Sequence, residues 1–410
     1  MNKIRLKNRH ISRKAEFMRL SRIPKRVENC LASYRPKFNK PQADHYRIWC
    51  WIIVTIIMCQ GAGRLKELVK YMPERLAYWT ILRMMRAKYW DEKDLLEVMA
   101  GDTLTNLRPP LDRILHLIGD TTRNEKTGKK QPLAYTTKMG KFEPYLFGQS
   151  ILVMIAHWGK LRIPVAVAVI DPKIKGHQNK LFRQMLKNFK PPAWCKQVIV
   201  EADAGFAAKE TLRLILKLEW DYVFSLARTW KLADGTYLSN LARHLPRKFY
   251  HRVASYKLNG QRRDYWIFRR KAKLNLLGDV TIILSKRHYN DSPKNIKLIV
   301  TNLNEASGGE ILSYYAKRWS VELTFKELKS GLHLGQMQVT SDPQRVERSI
   351  LLPVMAYLLL LRLYGNDDTS KQGFSIFKLK ERFIDDVVQE HIIHSDQRWL
   401  KKVDKYRAAA

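Results

Sequence analysis

Ile311–Leu332 reads ILSYYAKRWSVELTFKELKSGL, and the rest of the chain is organised around it. Its apolar residues recur at helical spacing, and Tyr315, Arg318, Glu322 and Lys329 stand three, four and seven residues apart. At about 100° per residue the four fall within about 60° of arc, so one narrow stripe carries an acid, two cations and a phenol. Leu312, Trp319, Leu323 and Leu328 flank the stripe and give the helix an apolar surface with which to dock on a sheet. Such a stripe taken alone also describes a solvated ladder of salt bridges. Two aspartates far upstream turn the balance toward a site.

Composition bounds what that site can serve. The chain has 410 residues, enough for roughly two to four domains. Hydrophobic residues make up 45%, which excludes a disordered tail protein. Lys and Arg number 75 against 38 Asp and Glu, a formal net charge of +37 spread along the whole length. A polyanion relieves that self-repulsion, so nucleic acid is the leading partner. Cys30, Cys50, Cys59 and Cys195 show no C-x-x-C spacing, which argues against a zinc site or disulfide framework and fits a reducing compartment. The longest apolar runs, Ile48–Cys59 and Ile350–Leu361, are shorter than the roughly 18 residues of a membrane span. The basic N-terminus has no apolar core or cleavage site behind it. The expectation is a cytoplasmic protein with no membrane partner, nucleoid-associated when bound to DNA.

Along the chain, residues 1–40 read as a basic arm or short helix with Pro24, Pro36 and Pro41 as breakers. Helices are predicted at 45–59, 63–71 and 75–87. The last two form a pair around a tight turn, with Arg83, Arg86 and Lys88 on the second, and this suits either a helix-turn-helix DNA reader or a plain bundle. The period then changes. Arg113–Asp120, Gln149–His157 and Leu161–Ile170 read as strands, followed by a helix at 175–189, a strand at Gln197–Ala202, a helix at 206–218 and a strand at Tyr222–Ala227. A Lys- and Gly-rich loop, 121–148, separates the first two strands. Three strands, helix, strand, helix, strand is the element order of an RNase H-like fold. Residues 229–308 interrupt it with β-rich pieces at Tyr265–Phe268, Val280–Leu284 and Ile296–Val300. An apolar helix follows at 344–364, then an amphipathic stretch with Phe383, Val387, Val388 and Ile392 at helical spacing. The expected class is α/β: a helical N-terminal DNA-binding region (1–110), an RNase H-like core in two parts (111–228 and 309–364), an inserted β-subdomain (229–308) and C-terminal helices (365–410).

In that order Asp120 ends the first strand and Asp203 the fourth, strands that are neighbours in an RNase H-like sheet. Both carboxylates then leave the sheet at one end, and Glu322 on a helix crossing it supplies a third. Three hard oxygen donors suit two Mg²⁺ ions, which activate a water or a 3′-hydroxyl and stabilise the oxygen leaving phosphorus. Asp102, Asp171, Glu201 and Glu310 read as structural. For either Asp alone a turn or capping role is the simpler reading; the set of three in this order favours catalysis.

These residues resemble a family. Tyr315, Arg318, Glu322 and Lys329 match the Tyr-x2-Arg-x3-Glu-x6-Lys signature of DDE transposases of the insertion-sequence four family. Gly119-Asp120-Thr121-Thr122 and Ala202-Asp203-Ala204-Gly205-Phe206 are similar to the segments around that family's two aspartates. The resemblance covers about 112–364. It implies that Asp120, Asp203 and Glu322 are catalytic and bind the divalent metals, two Mg²⁺ with Mn²⁺ as a substitute. Tyr315, Arg318 and Lys329 would hold phosphates of double-stranded DNA, the terminal inverted repeats and the target. It also implies a homodimer that cuts and pastes. Hairpin-forming members carry a Trp in the last insertion strand; Asn295–Thr301, NIKLIVT, has none, which leaves Trp266 or Trp319 to stack on a flipped base or pack in the core. The rival readings are a DDE nuclease without strand transfer and an inactive transposase-derived DNA-binding protein.

Overall fold

The computed structural model describes residues 20, 22–38, 45–73, 76–88, 90–127, 131–138, 145–257, 259–274, 277–337, 342–367 and 375–409. Of the predicted arm or short helix at 1–40, residues 1–19, 21, 39 and 40 lie outside them, and the described part is helical at Lys25–Leu31 and Ala32–Lys37. In chain order the elements are α1 (Lys25–Leu31), α2 (His45–Met58), α3 (Leu65–Val69), α4 (Tyr78–Arg86) and α5 (Glu92–Asn106), then β1 (Ile114–Glu125), β2 (Ala134–Lys138), β3 (Tyr145–Trp158) and β4 (Leu161–Val169). There follow α6 (His177–Asn188), β5 (Gln197–Ala202), α7 (Lys209–Lys217), β6 (Asp221–Ser225) and α8 (Leu238–His244). The last are β7 (His251–Tyr256), β8 (Arg262–Leu274), β9 (Gly278–Lys286), β10 (Lys297–Thr301), α9 (Gly308–Lys317), α10 (Ser320–Lys326), a π turn at Glu327–Gly331, α11 (Pro343–Tyr364) and α12 (Ile376–Ala409). The chain divides into two units, one of Met1–Leu107, Asn124–Ala134 and Lys326–Ala410, the other of Arg108–Arg123 and Tyr135–Phe325.

The second unit is built on one mixed sheet of order β2-β3-β1-β5-β6-β10-β9-β8-β7, with β4 paired to β3. β1, β5 and β6 are parallel, and β4 runs antiparallel to β3. The five strands expected from the sequence thus lie in the order β4-β3-β1-β5-β6. The β3–β4 hairpin turns at Gly159, whose φ of +54° is a backbone state that costs glycine little. The β-rich stretch continues the same sheet, because β10 pairs antiparallel with β6 and then with β9. Two strands escaped the sequence reading: β2, inside the Lys- and Gly-rich loop, and β7, the outermost. Both are short and polar, so alternation does not mark them.

α9 lies across one face of this sheet. Its N-terminus is closed by a capping box, the Ser307 hydroxyl accepting from the Glu310 amide while Glu310 accepts from the Ser307 amide. Ile311 and Leu312 then pack on Ile199, Val223, Ile267, Ile283 and Ile299. Burying each such side chain contributes about 1.5–3 kcal/mol, enough to fix which face of α9 meets the sheet.

The first unit is helical. α2 is buried from Ile48 to Met58 on all sides, as a helix apolar all round must be, and α11 packs against it and α5. Arg348 on α11 is fully buried: it pairs with Glu92 at 2.9 Å and donates to the carbonyls of Met85 and Trp90. The α5 helix, with Asp91 as its N-cap, has weak apolar periodicity and was not foreseen. In α4, Ile81, Met84 and Met85 are buried, while Trp79, Arg83 and Arg86 form an exposed stripe.

Candidate active site

The β1–β5 register runs from Ile114↔Gln197 to Ile118↔Glu201 without a shift. Carried two residues further, it sets Asp120 level with Asp203. Paired residues of parallel strands share a face, and side chains alternate along each strand. His116, Ile118 and Asp120 therefore lie on the face of Ile199, Glu201 and Asp203, which is the face that α9 covers.

One detail differs from expectation. Asp120 does not end β1, which continues to Glu125, whereas its neighbour β5 stops at Ala202. Gly119 lets α6 approach closely here: a Cβ at that position would stand 2.3 Å from the Phe182 ring. Asp203 lies in the turn after β5, its Oδ1 accepting from the Gly205 amide at 2.8 Å.

The Ile311–Leu332 segment is not one uniform helix. α9 ends at Lys317, and the amides of Arg318 and Trp319 bond three residues back, to Tyr315 and Ala316, a tight turn between α9 and α10. Arg318 thereby points at the sheet. Its Nη1 donates to Asp120 Oδ2 at 2.9 Å and its Nη2 to Glu322 Oε1 at 3.4 Å. One guanidinium thus joins an acid of β1 to an acid of α10. Tyr315 faces Arg318 and Lys297, whose charged groups lie 5.9 and 5.1 Å from its ring. Its buried hydroxyl has no hydrogen-bond partner among the described residues. Trp319, 55% exposed, projects away beside Arg318. Lys329 stands on the π turn, in the other unit. The segment is wound tightly at 318–319 and more loosely at 327–331, so it departs from the uniform helix expected from the sequence. Trp266 is half-buried and its ring packs on that of the exposed Tyr289 at 4.7 Å.

The electrostatics follow from burial and crowding. Burial pushes the Asp120 carboxyl up to about 6; Asp203 and Glu322 add to the rise, and the Thr121 amide and Arg318 oppose it. Burial works against the charge on Arg318, but Tyr315, Asp120, Glu322 and Asp203 outweigh it and hold its pKa above the ordinary value. Crowded carboxylates of this kind attract cations, and their hard oxygens suit a divalent one. They are not gathered into a ready cage: among the described residues no group of three His, Cys, Asp or Glu is arranged to hold a metal, and Arg318 bridges two of the three acids instead. The donor chemistry fits such ions; drawing the three side chains together requires Arg318 to give up one or both of its partners.

Beneath these residues lies a second polar cluster that sequence reasoning missed. His116 Nδ1 is 2.5 Å from Glu201 Oε1, and Lys317 Nζ is 2.5 Å from His116 Nε2. Burial holds Glu201 well above the usual carboxylate range, and burial together with Lys317 holds His116 well below the usual imidazole range. The signal was the period-2 spacing of His116 from Asp120 and of Glu201 from Asp203.

No curated protein matches the chain. Among solved structures it is similar to a piggyBac transposase in a synaptic complex with hairpin DNA, at 11% identity and a TM-score of 0.48, over 96% of this chain and 84% of that one. The family model for the transposase DDE domain matches residues 116–359, a span that holds Asp120, Asp203 and Glu322. With more than half of its length matched, the chain belongs to this family and is a DDE transposase, a metal-dependent enzyme that cleaves DNA.

Proposed function

We propose that the protein is a transposase of the insertion-sequence four branch, which binds the terminal inverted repeats of its element and catalyses end cleavage and strand transfer. The observation that carries this reading is the joining of Asp120 and Glu322 by Arg318, with Asp203 at the same level of the sheet. Asp120, Asp203 and Glu322 are the residues that would hold two Mg²⁺ ions, with Mn²⁺ as a substitute. Bound there, such ions supply Lewis acidity and a nucleophile at neutral pH.

The chain's own groups position the DNA. Arg318 is a two-pronged donor of the geometry that clamps phosphate. The unpartnered Tyr315 hydroxyl supplies a neutral donor beside it, and Trp319 an exposed ring. Lys329 is assigned to the phosphates by the signature alone. The 1–110 region, through the exposed stripe of α4, is the sequence-reading part, and the 229–308 strands extend the surface that meets DNA. We place the working enzyme as a homodimer on paired ends in the cytoplasm, associated with the nucleoid.

Gel assays of cleavage and joining on paired ends with Mg²⁺ test the reading. Asp120→Ala, Asp203→Ala and Glu322→Ala should each abolish cleavage and leave end binding nearly intact, since none removes a cation that contacts phosphate. Cleavage without joining would make the protein a nuclease. Binding without any cleavage by the parent would make it an inactive derivative.

A further inference from the structure

Asp120, Asp203 and Glu322 are carried by β1, the turn after β5, and the helical segment that follows α9. The same strand β1, and the elements β5 and α9 that lead into the other two, each contribute one member to the cluster beneath. His116 lies on β1 on the same face as Asp120, and Glu201 lies on β5 on the same face as Asp203. Lys317 is the last residue of α9, next to Arg318. His116 and Glu201 are almost wholly buried. Lys317, as an ammonium, only donates, so His116 Nε2 accepts from it and Nδ1–H donates to Glu201. The line Lys317–His116–Glu201 therefore pins the end of α9 to both aspartate strands at the point where the chain breaks into α10.

We infer that His116, Glu201 and Lys317 are positioning residues, a buried tie that sets the spacing of Asp120 and Asp203 and aims Arg318 between Asp120 and Glu322. The three are hydrogen-bonded to one another in a line beneath the carboxylates. They act through the residues above them. A buried polar cluster is costly unless every member is paired, and purely apolar side chains would fill the space under α9 equally well. What a hydrogen-bonded line adds is a fixed distance. Ile311 and Leu312 fix the face of α9 that meets the sheet, whereas dispersion contacts leave its end free to slide by fractions of an ångström. Shifts of about 1 Å at a reacting centre cost on the order of a hundredfold in rate.

The inference rests on the proposed carboxylate site, and its test separates the two. The key variant is Lys317→Met with Glu201→Gln, which cuts the link from α9 to His116, keeps an amide oxygen to accept from His116 Nδ1–H, and leaves no buried charge unpaired. End cleavage in a single turnover, end binding, Mn²⁺ binding by calorimetry, and the melting temperature are read for the parent and the variants. Either single change should lower both the melting temperature and the rate. The double variant should lose less melting temperature than either single change, its remaining loss coming from the unpaired His116 Nε2, and bind ends within about twofold of the parent. It should still cleave on the order of a hundredfold more slowly and bind Mn²⁺ about tenfold more weakly, the usual scale for lost outer partners of metal ligands. Lys317→Arg keeps charge and donors at a different reach, and should fold normally yet recover only part of the rate. If the double variant cleaves at the parental rate, or if rate follows melting temperature through the whole series, the cluster is structural and the inference is overturned. Should the double variant not fold, Lys317→Arg decides: full parental rate overturns the inference, and a folded, slow enzyme upholds it. A parent that cleaves no ends would instead overturn the proposed function.

Discussion

Replacing Arg318 by Ala separates a catalytic clamp from an ordinary ion pair. In the parent the guanidinium is 15% exposed and bonds to Asp120, 17% exposed, at 2.9 Å and Glu322, 36% exposed, at 3.4 Å. Two unit charges about 4 Å apart interact by about 4 kcal/mol at an effective dielectric of about 20. Solvent screens the Glu322 partner, and the cost of burying the guanidinium offsets part of the Asp120 term, so the net loss of stability should be about 1–3 kcal/mol. A native chain holds roughly 5–15 kcal/mol, so the variant stays folded at 25 °C. A fall in single-turnover cleavage on the order of a hundredfold then comes from misplaced phosphate and not from unfolding. Loss of the guanidinium also frees Asp120 and Glu322 and removes a like charge, so Mn²⁺ should bind more tightly while the reaction slows. Arg318→Lys should restore most of the stability and only part of the rate, since a compact ammonium does not reproduce the planar, two-pronged reach of the guanidinium. Calorimetric Mn²⁺ titration, melting curves and single-turnover cleavage check this together. Weaker Mn²⁺ binding in Arg318→Ala, or parental cleavage, would refute the reasoning.

Three further perturbations have defined outcomes. Changing Arg83 and Arg86 of α4 to Ala should leave the melting temperature unchanged, weaken end binding, and reduce the salt dependence of affinity by about two counterions, read from binding at several salt concentrations. Gly119→Ala forces a methyl group against the Phe182 ring, which should cost about 1–3 kcal/mol in chemical denaturation and slow cleavage through the neighbouring Asp120. Lys380 donates to the carbonyls of Cys59 and Gly331, both at 2.8 Å, and burial holds its pKa down to about 8. Its folded value lies below its unfolded one, so between about pH 8 and 10 the unfolded chain keeps a proton that the folded chain has lost, and stability rises with pH. Lys380→Met should flatten that rise in melting temperature and cost about 1–3 kcal/mol, because it orphans two carbonyls.

The sequence alone determined the parts of the site that depend on local pattern. The apolar runs within Arg113–Asp120 and Gln197–Ala202 mark two buried strands, the helical period from Ile311 marks a helix, and the order of elements follows from their succession. Those are short-range properties, set by side-chain period and backbone preference. The tertiary structure decided the rest. β5 stops at Ala202 while β1 runs on past Asp120 to Glu125; strand ends depend on which neighbour goes on pairing, which a single strand's sequence does not record. Arg318 reaches two acids because α9 ends at Lys317 in a tight turn, and a π turn follows at Glu327–Gly331; the uniform helical period of the sequence records neither change of winding. Glu201, read as structural from its place beside Asp203, gains its partners only when Lys317, far along the chain, is laid over the sheet. A buried carboxylate is meaningful only with the groups around it, and only the folded chain brings those groups together.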